Sequence, residues 1–148
     1  VEQEREFYLV ILGKGELQTE LESLTEELGL GNRVSFPGFV DNPYAYMAKS
    51  DVFVLSSAWE GFGNVIVEAM ACGTPVVSTD CPGAPSEILN NGEYGPLVPV
   101  GDDEAMAKAI NTVLDDPIGS STLQSRAKDF AIEPIVDQYE EVLLSALQ

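Results

Sequence analysis

The 148-residue chain contains no histidine, and its 7 lysines and arginines face 25 aspartates and glutamates. Without an imidazole, a Ser-His-Asp triad, a histidine general base and a His-ligated metal are all excluded for this chain acting alone. A formal charge of −18 opposes DNA, RNA and anionic membranes as partners, because each is met by a basic footprint that displaces counterions. Cys72 and Cys81 are the only cysteines. They are too few for a zinc site or a secreted disulfide scaffold and read as two reduced thiols. Residues 1–6 are charged rather than an apolar signal core, and no apolar run approaches the roughly eighteen residues of a membrane span. A soluble, cytoplasmic protein without membrane insertion is expected. Its chemistry must run on carboxylates, hydroxyls, backbone amides or a partner's residues. The acidity also suits a halophilic source, where acidic surfaces stay soluble in high salt.

What the chain does have is apolar content, 45% of its residues. At this length one domain is expected, burying roughly 70% of the surface of the unfolded chain. Residues 7–12 (FYLVIL) form a continuous apolar run ended by Gly13, the pattern of a strand covered on both faces. Leu17, Leu21, Leu24 and Leu28 then recur at helical spacing, with Gly29 placed to stop the helix. Residues 34–40 read as a strand running into a turn at Pro37-Gly38, 43–49 as a brief helix and 52–56 as another apolar strand. An apolar helix over 64–72 stops at Gly73-Thr74-Pro75 before a strand over 75–78.

Residues 85–90 suggest a short helix and 96–100 a last strand. Asp102 or Asp103 caps a helix with the stripe Met106, Ala109, Ile110, Val113 and Leu114, which ends at Asp115-Asp116-Pro117. Further helices are expected over 121–130 and from Pro134, the latter with Ile135, Tyr139, Val142, Leu143, Ala146 and Leu147 on one face. The alternation predicts the α/β class, with one mostly parallel sheet and ligand loops at the carboxyl ends of its strands.

Two strand-to-helix loops contain glycine. In Gly13-Lys14-Gly15-Glu16 a dinucleotide fingerprint fails at Gln18, where its third glycine would stand, so a tight turn is the simpler reading. The second loop joins the strand at 52–56 to the helix from Asn64 through Glu60-Gly61-Phe62-Gly63. Its glycines allow close backbone approach, and the following helix turns free amides and the positive end of its dipole toward that space. This makes an anion site with neither lysine nor arginine, although glycines also precede many helices that bind nothing. Glu68 is the only charge between Asn64 and Gly73. If buried it needs a partner, and either a ribose hydroxyl pair or solvent in an open crevice would serve. Glu60, at the mouth of the same loop, suits sugar hydroxyls, since its charge repels a second phosphate.

The run from Glu60-Gly61-Phe62-Gly63 through Glu68-Ala69-Met70-Ala71-Cys72-Gly73-Thr74-Pro75-Val76-Val77 resembles the E-x7-E segment of the retaining family-four ("group 1") glycosyltransferases. Gly13-x-Gly15, Pro37-Gly38, Ser78-Thr79-Asp80, Gly83 with Glu87-Ile88, and Gly95-x-Leu97-Val98-Pro99 follow in the family's order. The resemblance implies the C-terminal, Rossmann-like half of a GT-B fold, with helices on both faces of its parallel sheet. It implies a nucleotide-sugar donor, with uridine the expected base, and neither metal nor cofactor. Glu60 would meet hydroxyls of the donor sugar as the catalytic-site carboxylate. Gly61, Phe62, Gly63, Asn64 and Val65 would hold the diphosphate, Glu68 the ribose, and Phe39 and Val40 would border the base.

In the mechanism so implied, the leaving diphosphate itself takes the acceptor proton on the same face, so no protein nucleophile is required. The family's diphosphate-neutralising arginine and lysine would precede Phe7, and its N-terminal acceptor domain would lie outside this chain. A donor-binding domain truncated at its N-terminal edge is therefore expected. Two other classes stay open. A sugar-nucleotide epimerase of the same architecture would convert donor without acceptor, and a non-catalytic module would bind no donor even at full length.

Overall fold

The computed structural model describes residues 5–146. Most of the charged opening segment and Leu147 of the tail lie outside the described residues. The chain divides into two compact units, residues 1–43 and 44–148. Within the first, β1 (Leu9–Leu12) and β2 (Val34–Gly38) pair in parallel around α1 (Gln18–Glu27). Leu9 faces Val34 and Val10 faces Ser35, but Leu12 faces Gly38, so β2 carries an extra residue beyond Ser35. Pro37 lies in that stretch and has no N–H to give to a ladder, which favours such an irregularity. Pro37-Gly38 thus belongs to the strand, and the turn follows it. Helix α1 ends as its sequence implies: Gly29 N donates to Glu26 O and Leu30 N to Thr25 O, a Schellman pair.

The expectation of a first strand covered on both faces is not met. Leu9 and Val10 are 44% and 43% exposed, and α1 buries no residue: Leu21 and Leu24 within it and Leu17 and Leu28 at its ends are all exposed. Within this unit one helix accompanies the two strands, and a single helix covers at most one face of a sheet.

In the second unit, β3 (Phe53–Leu55), β4 (Val76–Thr79) and β5 (Leu97–Val98) form a parallel sheet in that order. Among the described residues the strands thus form two parallel sheets, β1-β2 and β3-β4-β5, where a single sheet was expected. Central β4 is buried along its whole length. The last strand is shorter than expected because Pro96 and Pro99 flank it and neither can donate to the ladder. Around this sheet run α2 (Tyr44–Met47), α3 (Asn64–Ala71), α4 (Pro85–Ile88), a 3-10 turn at Asn90–Gly92, α5 (Asp103–Asp115), α6 (Ser120–Lys128) and α7 (Ile132–Ser145).

The core gathers Met47, Ile66, Ala69, Met70, Val76, Ile88, Leu89, Leu123 and Ala127. Helix α3 supplies three of these from one face, and α6 packs against it. The end of α3 is closed by Gly73 N donating to Met70 O and Thr74 N to Ala69 O, and Ser120 Oγ ties that end to α6 by donating to Gly73 O at 2.9 Å. Asp102 is the α5 cap, accepting from Ala105 N at 2.8 Å, and Val113 is the buried member of its stripe. Helix α7 buries no residue, so the apolar stripe expected of the tail meets no core among the described residues.

Candidate functional site

Strand β3 ends at Leu55, and the loop 56–63 carries the chain to α3. Gly63 is the residue that starts the helix: it is buried, with φ +86°, in the left-handed region. A Cβ there would meet Ile66 and Ile88 at ordinary contact distance, so the backbone conformation rather than crowding calls for glycine. The first-turn amides of α3, at Asn64 and Val65, have no intrahelical acceptor and face outward from the helix start. Gly61 has open space around it. No lysine or arginine occurs between Lys49 and Lys108 in the sequence, so the loop and α3 themselves offer an anion only amides and the helix dipole. Among the described residues no group of three or more carboxylates and thiols is placed to hold a metal.

Glu60 is half-buried and tethered. Ser57 Oγ donates to Glu60 Oε1 at 2.6 Å, and Thr79 Oγ1, buried at the end of β4, donates to Ser57 O at 2.6 Å. Glu60 N donates to Pro82 O at 3.1 Å. A Cβ at Gly83 would strike the Glu60 carbonyl oxygen, so the 82–83 segment lies directly behind residue 60. One carboxylate oxygen is thereby held while the other has no partner among the described residues. The neighbouring Trp59 is 71% exposed, and Phe62 meets the Phe130 ring edge to face at 5.9 Å.

Glu68 stands one turn into α3 and is half-buried, and its carboxylate has no hydrogen bond or ion pair among the described residues. Solvent reaches it, so burial does not force a partner on it. The second unit thus brings Glu60, Gly61, Phe62, Gly63, Asn64, Val65 and Glu68 onto one loop and its helix. Phe39 and Val40 belong to the first unit, just past β2. Phe39 is 73% exposed there and Val40 half-buried. In that unit the Lys14 side chain runs over Gly38, its Cε 3.4 Å from where a Cβ would stand.

Sequence reasoning gave no site role to Ser57, Thr79, Gly83 or Phe130, although Thr79 and Gly83 stand among the residues that carry the family resemblance. Only Ser57 left a local signal, a hydroxyl three residues before Glu60. Thr79, Gly83 and Phe130 reach the loop from distant parts of the chain.

Parallel strands with a glycine loop at a strand's carboxyl end define the Rossmann-like class of α/β ligand-binding folds. Within that class the chain belongs to the family described as glycosyl transferases group 1, whose profile matches residues 1–131. It is 41% identical over 143 residues to the lipopolysaccharide core biosynthesis glycosyltransferase LpsE of Rhizobium meliloti, covering 93% of this chain and 42% of that protein. It is also 41% identical over 120 residues to the N-acetylgalactosamine-N,N'-diacetylbacillosaminyl-diphospho-undecaprenol 4-alpha-N-acetylgalactosaminyltransferase of Campylobacter jejuni, covering 81% of this chain and 33% of that protein.

Among solved structures, HepE of Anabaena in complex with UDP superposes with a TM-score of 0.81 at 34% identity, over 94% of this chain and 41% of that one. The chain spans between 33% and 42% of the length of these relatives. The parallel α/β fold thus matches part of a GT-B glycosyltransferase. Among the described residues no helix is long and apolar enough to cross a membrane.

Proposed function

We propose that this chain is the C-terminal, donor-binding domain of a retaining glycosyltransferase. The enzyme moves a hexose or N-acetylhexosamine from a nucleotide diphosphate to a glycan or lipid-linked acceptor. One observation carries the reading: a tethered carboxylate, Glu60, stands at the mouth of a helix start that offers backbone amides. Amides at 61–65 take the diphosphate, and Glu60, with one oxygen held by Ser57, offers the other to sugar hydroxyls. Glu68 accepts from the ribose. The HepE complexes with UDP, and with UDP and glucose, support a uridine donor. The acceptor site belongs to an N-terminal Rossmann-like domain of the whole protein. The protein's catalytic contribution is electrostatic, through dipoles that meet charge as it develops on the leaving oxygens.

Titration of the 148-residue chain with UDP tests this. Metal-independent binding of about −4 to −6 kcal/mol is expected, since one loop must hold an anion against an acidic chain. Amide shifts should fall within 61–67. Shifts confined to the Gly13–Glu16 loop would refute the assignment. The chain spans only 33–42% of two of its relatives, so no acceptor-dependent transfer is expected from it alone, and turnover by the isolated chain would overturn that expectation.

Glu68→Ala should weaken UDP and UDP-sugar alike by about tenfold, the worth of a charge-assisted hydrogen bond. Calorimetry with both ligands on the whole enzyme reads this directly, and an unchanged UDP affinity removes the ribose role. Ser57→Ala frees the Glu60 carboxylate to rotate. UDP-sugar affinity should fall about three- to tenfold with UDP affinity unchanged, because only the sugar contact depends on that orientation. An equal fall for both ligands would mean that Ser57 supports the loop as a whole.

A further inference from the structure

We propose that Arg126 is the positioning residue of the loop that carries Glu60, a role that rests on the donor-site reading above. Its guanidinium is placed where α4, α6 and the 3-10 turn meet. Nε donates to the Ile88 carbonyl oxygen at 3.0 Å and one terminal nitrogen to the Glu87 carbonyl oxygen at 2.7 Å, while the other pairs with Asp129 at 3.0 Å. Those carbonyls close α4, which has only four residues and cannot hold itself as a helix. The chain enters α4 from Gly83, the residue pressed against the Glu60 carbonyl.

The guanidinium also lies 4.7 Å from the Phe130 ring centroid and 5.3 Å from that of Tyr94. Phe130 in turn packs edge to face with Phe62, which stands between Gly61 and Gly63. One cation therefore fixes both backbone segments around Glu60. The segment behind it is held through α4, and the segment after it through Phe130 and Phe62.

Helix α6 does not need Arg126 to dock. Leu123 and Ala127 are buried in the core, and Ser120 is bonded to Gly73. The contacts of Arg126 are spent elsewhere, on α4 and the aromatic stack. A lysine cannot copy them, having neither the planar fork nor the stacking face. The glycines on either side of Phe62 leave the loop little rigidity of its own, so the brace sets how well its amides are aimed.

Amide hydrogen exchange on the whole chain tests this, with Arg126→Lys and Phe130→Leu as independent variants. The reporters are Glu60 N, bonded to Pro82 O, and Ile66 N, bonded to Gly63 O; the references are Ser78 N and Asp80 N in the ladder to Pro96 and Val98. In Arg126→Lys exchange at both reporters should rise about tenfold, and in Phe130→Leu the rise should fall on Ile66 N, while Glu60 N in Phe130→Leu and the references in both variants move less than about twofold. UDP should bind about fivefold more weakly, because its amide donors are no longer preorganised. Unchanged reporters, an equal rise at all four amides, or loosened reporters with undiminished UDP affinity would each overturn the proposal. If the unaltered chain binds no UDP, the donor reading falls, and the exchange pattern alone then decides whether Arg126 holds the loop. Should Arg126→Lys fail to fold, Phe130→Leu tests the aromatic arm by itself, since it cuts the path to Phe62 and leaves the bonds to α4 intact; Ile66 N unchanged there, or Glu60 N loosened as much as Ile66 N, overturns the proposal.

Discussion

Glu60→Ala in the full-length enzyme is expected to cut turnover about a hundredfold while UDP affinity stays within about twofold. A carboxylate accepting from sugar hydroxyls contributes roughly 1.5 to 3 kcal/mol per charge-assisted bond, and that contribution is absent when the ligand lacks the sugar. The bare nucleotide gains slightly if anything, since a negative charge leaves the rim of its phosphate site. The structure adds a reason to expect a large effect: Glu60 is held by Ser57, which is itself anchored by Thr79, so its geometry is fixed before the donor arrives. Turnover with saturating donor and calorimetry with UDP give the two numbers. Loss of UDP binding with Glu68→Ala harmless would reverse the roles assigned to the two glutamates, and no effect from either would remove the main support for the enzyme reading.

Gly83→Ala should destabilise the second unit by about 3 kcal/mol or more, enough to unfold a marginal domain at physiological temperature. Two costs add. The residue has φ +130°, and its new methyl would collide with the backbone carbonyls of Glu60 and Gly61, which cannot swing away as a side chain would. Gly92→Ala separates the two costs. Gly92 also has a positive φ, +99°, but no atom lies within 4 Å of its Cβ position, so only backbone strain of about 1 kcal/mol is expected. Urea denaturation of both variants makes the comparison, and equal losses would show that the contact with Glu60 carries no cost.

Local features were legible from the sequence and long-range ones were not. The Asp102 cap, the stripe that buries Val113 and the stop at Gly73 are each encoded within a few residues. The Glu60 loop and α3 were legible for the same reason, and the family match over residues 1–131 agrees with the resemblance drawn from that motif. By contrast, Phe62 and Phe130 are remote in sequence, as are Gly83 and Glu60, and no periodic pattern signals that they touch. The apolar run at 7–12 misled in a different way. It was read as a buried strand, yet apolarity states what a segment can bury and not how many layers are present to bury it.

The exposure of Leu9 and Val10 has a colloidal consequence when set beside the charge of the chain. At neutral pH a formal charge of −18 keeps copies of the chain apart, so two half-exposed apolar side chains do not by themselves drive association. Acidification toward the sequence pI of about 4.1 removes that repulsion while leaving the apolar side chains where they are, and the solubility of the chain should pass through a minimum there. Added salt acts in the same direction at any pH by shortening the range of the repulsion. The acidic surface is in this sense a solubility device as well as the setting of the donor loop.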